Sequence, residues 1–413
     1  MQDAHDPYLA LRHRDFSLLL SSNVLAALSA EIQFTVVEWE IYQRTGSTAM
    51  MAYGGLAQFL PLLLLALPAG QAADRYSRKY LLMLAHVFMA LASLGLALVS
   101  HYQGPVELVF VFLALAGVSR AIGMPSRASL LSLVVPTVAV PNAVTWVSSG
   151  WQIATTTGPA IGGLLVGYPT AAYATTVAGL CICICMVAWI EPREATRSTE
   201  PRTLRSLLAG IAFVWRTELL LAAITLDLFA VLLGGCTALL PAYCQDVLHV
   251  DGINYGILRA APSLGAFAMA IYLAHRPPLA RPGLALIWSV VAFGLATIGF
   301  GLSTNYYLSF AMLFLTGAFD NISVVVRGTL MQMLTPDDMR GRVGAVNSVF
   351  ISSTNQLGAF ESGITAEWFG LVPAVVGGGV GTLTVVAVAV VLWPNLRTLP
   401  PLHTLSAKES ATA

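Results

Sequence analysis

Six ionisable residues stand inside long apolar stretches of this chain: Glu31, Glu38, Arg120, Asp227, Asp320 and Glu361. A charge held in hydrocarbon is costly, so an acidic or basic residue retained there is a functional candidate by default. Glu31 lies near the middle of the first stretch. Glu38 follows two helical turns further along the same face, with Gln33, Thr35 and Glu40 nearby. A carboxylate at that depth can take up a proton on one side of a membrane and release it on the other, and a guanidinium such as Arg120 can compete with that proton. The alternative for Glu31, Arg120 and Asp320 is a static ion pair that fixes helix packing. Arg127 and Arg327 lie close enough to an end of their stretches to snorkel to water, and Arg259 is expected to do the same at the opposite end.

The elements that must position these groups are twelve apolar stretches, near 16–42, 49–72, 80–100, 105–132, 141–167, 170–190, 219–244, 253–274, 283–302, 305–334, 342–368 and 371–393. About 20 mostly apolar residues cover the roughly 30 Å of a bilayer's hydrocarbon. The expectation is therefore an all-α membrane protein with 12 transmembrane helices. Charge placement orients it. Of 21 Lys and Arg, Arg44 alone falls in a loop on the far side, whereas Arg12, Arg14, Arg75, Arg78, Lys79, Arg193, Arg197, Arg202, Arg205, Arg216, Arg276, Arg281, Arg340, Arg342, Arg397 and Lys408 collect on the near side. The positive-inside rule makes that side, and both termini, cytoplasmic. External turns are expected near Thr45 and Asn305. No removable signal peptide is expected, since no short apolar run with a cleavage site opens the chain.

Composition excludes several function classes. The chain is 57% apolar and 10% charged with a net charge of zero, which argues against a nucleic-acid partner. No glycine-rich loop ends in Lys-Ser/Thr, which argues against direct ATP drive. Five cysteines without a C-x-x-C spacing read as small packing residues, so neither a metal nor a cofactor is expected. His86 is expected to be hydrogen-bonded packing rather than a proton relay. Tyr53, Gln58, Phe59, Trp146, Trp151, Gln152, Asn355 and Gln356 are candidate cavity or interface residues.

The longest polar connection, 191–218, divides the chain into a six-span bundle over 1–190 and a second six-span bundle with its tail over 219–413. Its latter part, Leu204 to Trp215, is amphipathic and predicts a helix along the membrane surface. The halves read as copies. A shift of 200 residues superposes Arg127 on Arg327, Leu130 on Leu330, Pro136 on Pro336, Gly158 on Gly358 and Gly163 on Gly363; a shift of 202 superposes Tyr53-Gly54 on Tyr255-Gly256. Parallel repeats of this kind build transporters whose substrate site lies between the halves.

Two motifs sharpen this reading. Gly70-Gln71-Ala72-Ala73-Asp74-Arg75-Tyr76-Ser77-Arg78-Lys79 falls in the turn between the second and third spans. Gly70 permits close backbone approach, Asp74 can face a helix N-terminus, and Arg75, Arg78 and Lys79 hold the turn inside. Gly158-Pro159-Ala160-Ile161-Gly162-Gly163 in span five sets small residues at helical spacing around a proline that lets the helix bend. The first motif closely resembles the loop signature of the major facilitator superfamily, and the second resembles the antiporter motif of its export-type members. Leu240-Pro241, Pro336-Asp337-Asp338-Met339-Arg340-Gly341-Arg342-Val343 and Gly358-Ala359-Phe360-Glu361-Ser362-Gly363 are similar to the branch that contains siderophore and macrolide exporters. Two departures stand out: the loop at His275-Arg276-Pro277-Pro278 lacks the motif's Asp, and Arg120-Ala121-Ile122-Gly123 places the span-four Gly one residue early.

The resemblance implies a secondary transporter with two pseudo-symmetric six-helix bundles and a cavity lined by spans one, four, seven and ten, which carry Glu31, Arg120, Asp227 and Asp320. It implies proton-coupled export of an amphipathic small molecule by a monomer of a bacterial inner membrane. It also implies that Asp74 reaches the start of span eleven near Gly341. At the 200-residue offset, Arg120 and Asp320 are equivalent positions of opposite charge, expected to pair in at least one state while Glu31 competes for Arg120. A lipid or lysolipid translocator of the same fold and a non-transporting membrane sensor are the rival readings.

Overall fold

The computed structural model describes residues 6–192, 204–277, 279–336, 339–397 and 399. Residues 193–203 of the 191–218 connection, the Asp337-Asp338 pair, Pro278 and Lys408 therefore lie outside the described residues. Within them the chain folds into α-helices joined by short turns, because in a bilayer each backbone N–H and C=O must find its partner inside its own segment. In chain order the helices are α1 (Arg14–Thr45), α2 (Thr48–Arg75), α3 (Arg78–His101), α4 (Glu107–Val134), α5 (Val140–Leu165), α6 (Pro169–Ala188), α7 (Leu204–Arg216), α8 (Glu218–Leu233), α9 (Leu240–Asp246), α10 (Gly252–Ala274), α11 (Pro282–Gly301), α12 (Tyr306–Leu334), α13 (Arg340–Phe369) and α14 (Leu371–Leu392).

Among the described residues ten helices, with α8 and α9 taken together, are long and apolar enough to cross a membrane. The helices α5 and α13 occupy the stretches expected for spans five and eleven and are long enough, but they carry more polar side chains. Ser148, Ser149, Gln152 and Thr155 to Thr157 dilute the first; Ser352 to Gln356 dilute the second. Large apolar side chains such as Leu60, Leu63 and Leu64 of α2 stand exposed, as a surface covered by lipid requires.

The expected seventh span is interrupted. α8 stops at Gly234-Gly235, a 3-10 turn runs over Cys236–Leu239, and α9 restarts just before Pro241. Gly235 lies where an added Cβ would come within 3.3 Å of Gly358 and of Ser362, so the break brings backbone close to α13.

Two compact units form. The first gathers the described residues of 1–45, 53–202 and 252–260, and the second those of 46–52, 203–251 and 261–413. Each unit thus includes a short segment from the other half of the sequence, which a division at the linker does not anticipate. Inside each unit the packing follows one scheme. In the first, α3 packs on α4 and α6, and α1 on α5 and α6; in the second, α11 packs on α12 and α14, and α8 on α13 and α14. The cores are apolar: Phe16, Leu19, Leu82, Leu130 and Ile190 in the first unit, Leu220, Leu226, Leu286, Val326 and Leu330 in the second. The amphipathic segment is helical, as α7, and it packs on α13. An added Cβ at Gly210 would meet the Arg342 carbonyl at 2.9 Å, while Leu208 and Trp215 remain exposed.

Candidate functional site

The span-five glycines decide how α1 is held. At Gly158 a Cβ would lie 2.5 Å from the Cβ of Glu31, and at Gly162 one would lie 2.8 Å from the Cβ of Thr35. Glycine at these two positions lets α5 lie against the acidic helix with no side chain between them. Gly163 continues the seam onto the 252–260 segment, where its Cβ would meet Gly252 and Gly256 at 2.6 Å. The second unit repeats this arrangement: Gly358 lies against the Val231 and Leu232 carbonyls, and Gly363 against Thr48 and Ala52. The 200-residue repeat is therefore a repeat of packing positions as well as of residue types.

On α1, held in this way, Glu38 accepts a hydrogen bond from Arg259 within an ion pair, and both side chains are largely buried. Arg259 also donates to the Tyr255 hydroxyl at 3.1 Å, and its guanidinium stacks 4.8 Å above the Phe34 ring. Trp39 packs 5.0 Å from the Tyr255 ring. Arg259 thus does not snorkel. Its charge is met by a carboxylate and an aromatic face, which together offset the cost of burying it.

Glu31, two turns further in, faces the charges of Arg259 and Arg120. Arg120 donates to the Gln58 side-chain oxygen at 3.3 Å. Arg120, Glu31, Arg259 and Glu38 therefore form one line of alternating sign within the first unit, largely buried at the Glu38–Arg259 end and exposed at Arg120. At the C-terminal end of α1, Glu40 pairs with Arg44 at 3.3 Å and accepts from the Tyr173 hydroxyl at 2.7 Å. Such an arrangement can pass a positive charge along the helix: a proton arriving at one carboxylate weakens its hold on an arginine, which the next carboxylate can then attract.

The second unit holds the remaining groups. Asp227 forms a buried ion pair with Arg327 and accepts a hydrogen bond from Ser323 at 2.8 Å. Arg327 does not snorkel either, because a carboxylate at its own depth satisfies it. One small pocket is lined by Asp227, Arg327, Asn347, Thr354 and Asn355, and another by Asp227, Phe293, Phe319, Asp320 and Ser323. Asp320 makes no ion pair among the described residues. Glu361 accepts a hydrogen bond from Thr365 of its own helix at 2.9 Å.

The loop motif lies where α2 ends and α3 begins. Lys79 donates to the Ala188 carbonyl at 2.7 Å and so satisfies the last turn of α6. Asp74 is half-buried in the final turn of α2, beside exposed Arg75. Among the described residues no group of three or more His, Cys, Asp or Glu could hold a metal ion.

Helices that cross a bilayer, arranged as two units on one packing scheme and enclosing buried charge, define a polytopic membrane transporter. The chain belongs to the transmembrane secretion effector family of the major facilitator superfamily, whose model matches residues 5–409. It is 26% identical over 381 residues to the multidrug efflux pump Tap of Mycobacterium tuberculosis, covering 86% of this chain and 87% of that one. It is 25% identical over 404 residues to the enterobactin exporter EntS of Escherichia coli, covering 95% and 96%. Its fold matches a bacterial homologue of the human lysosomal transporter Spinster with a TM-score of 0.70 at 14% identity, over 93% and 97% of the two chains. A POT family transporter matches with a TM-score of 0.69 at 12% identity, over 93% and 96%. The chain is thus a multi-pass secondary transporter of the major facilitator type, as the loop and span-five motifs lead one to expect.

Proposed function

We propose that this protein exports an amphipathic small molecule, drug-like or siderophore-like, in exchange for protons. It does so by alternating access, as a twelve-span monomer surrounded by lipid in a bacterial inner membrane, with both termini cytoplasmic and no enzymatic activity. The observation that carries this reading is the line Arg120–Glu31–Arg259–Glu38, two guanidinium groups alternating with two carboxylates in one unit, with the Glu38–Arg259 pair buried where the glycine seam holds α1 and α10 close to α5. Buried charge of this density is expensive to maintain for packing alone. The names of the two sequence relatives, a multidrug efflux pump and an enterobactin exporter, support the substrate class.

In this reading Glu31 is the carboxylate that exchanges the proton, Arg120 is the cation released and recaptured, and Glu38–Arg259 is the neighbouring pair that reorganises with them. Asp320 is a second proton-carrying candidate in the other unit, with Asp227 and Glu361 as supporting groups. The turn from Gly70 through Asp74, Arg75, Arg78 and Lys79 acts as the cytoplasmic gate, and Gly158, Pro159, Gly162 and Gly163 form the hinge of α5. Cells expressing the protein, loaded with fluorescent amphipathic cations, catecholates or macrolides, test the reading. It predicts that one of these classes is extruded and that a protonophore stops the extrusion. Extrusion that survives collapse of the proton gradient contradicts it.

A further inference from the structure

Two arginines occupy the same place in the two repeats, and they meet different surroundings. Arg327 is neutralised by Asp227. Arg127, its equivalent on α4, has no ion pair among the described residues, and its Nε is buried without a hydrogen-bond partner. Three more polar atoms are orphaned on helices packed around it: Ser22 Oγ and Asn23 Oδ1 on α1, and His86 Nε2 on α3. All three of these side chains belong to buried residues, at 0%, 6% and 4% exposure.

Arg127, His86 and Ser22 share one neighbourhood, and Asn23 adjoins it as the next residue of α1. Arg127 acts electrostatically on His86 and on Cys183 of α6, and the Cys183 thiol donates to the Ser22 carbonyl at 3.4 Å. Register explains the missing charge. Asn23 stands as far into α1 as Asp227 stands into α8, so an amide occupies the position at which the second repeat has a carboxylate. A half-buried guanidinium without a counter-charge, its Nε shut away from water near unsatisfied hydroxyl, amide and imidazole groups, is stabilised by whatever supplies that charge and fills those hydrogen bonds.

We propose that the first unit binds a small monovalent inorganic anion of chloride's size between Arg127, His86, Ser22 and Asn23, where it takes the part that Asp227 plays for Arg327. Arg127 provides the charge and the Nε–H donor, and the Ser22 hydroxyl donates a second hydrogen bond. The His86 ring donates from Nε2 in the matching tautomer, and the Asn23 amide turns its NH₂ inward. The site lies toward the end of α4 that the positive-inside rule places in the cytoplasm, so the anion enters from that side.

The probe is chloride on the full-length protein in detergent micelles. Equilibrium dialysis with radiolabelled chloride is expected to show one saturable site in the wild type and its loss in Asn23→Asp, where a carboxylate replaces the anion. Replacing chloride by gluconate at constant ionic strength is expected to lower the unfolding midpoint of the wild type and leave that of Asn23→Asp unchanged. Absence of saturable chloride binding to the wild type overturns the proposal, as does binding that persists in Asn23→Asp. Neither measurement depends on transport, so a failure of the proton-exchange reading does not affect them.

Discussion

Glu38 and Arg259 form a buried ion pair although 221 residues separate them in the chain. The pair exists because residues 252–260 of α10 pack within the first unit, against α1 and the span-five glycines. If it acts as one unit, removing either charge strands the other in a dry setting. Arg259→Gln and Glu38→Gln should each destabilise the protein by about 3–5 kcal/mol, and the double variant by less than the sum. Thermal unfolding of the purified variants checks this. Strictly additive losses would show that the two residues do not share their energy.

Asp227 and Arg327 form the corresponding test in the second unit. Asp227→Asn leaves a buried guanidinium uncompensated and should cost about 3–5 kcal/mol, whereas exchanging both residues for apolar groups of similar volume should cost far less. Unfolding midpoints of the two proteins, measured side by side, decide between an ion pair that has to be complete and one of little consequence.

The packing seam predicts a third effect. Gly162→Val places a branched side chain where a single Cβ already comes within 2.8 Å of Thr35. Overpacking of this kind costs about 1–3 kcal/mol and pushes α1 away from α5. Transport should fall more steeply than the amount of folded protein, as measured by size-exclusion chromatography alongside an efflux assay. Full activity would show that the seam is not needed to hold Glu31 in place.

Topology supplies a fourth. In a background lacking native cysteine, Thr304→Cys should react with an impermeant maleimide in intact cells, and Ser198→Cys should react only after lysis. Labelling of Ser198→Cys from outside would reverse the orientation derived from the arginine distribution.

Much of this arrangement was legible in the sequence. The helices follow from apolar length, and the repeat from glycine and arginine matches at one offset, because both depend on local composition. The glycine motif announced a packing seam, and the seam is where α5 meets Glu31. The partners of Arg259 and Arg327 were not legible, since depth along a stretch says whether an arginine could snorkel but not what stands beside it. The sequence does carry one signal of the second pair, since Asp227 and Arg327 lie at matching depths in their spans with opposite charge. The break at Gly234-Gly235 was hidden by an uninterrupted apolar run, within which two glycines and Pro241 end one helix and start another. The exchange of 46–52 and 252–260 between units is a long-range packing outcome that no local pattern records.

In the proposed cycle Glu31 exchanges the proton that drives export. The most direct test is proton flux in proteoliposomes carrying wild-type protein or Glu31→Gln, with a pH-sensitive dye inside and transported substrate added. The account predicts substrate-dependent proton movement in the wild type and none in Glu31→Gln, with substrate-for-substrate exchange retained because binding does not need the proton. Wild-type proton coupling in Glu31→Gln would contradict it and remove Glu31 from the mechanism.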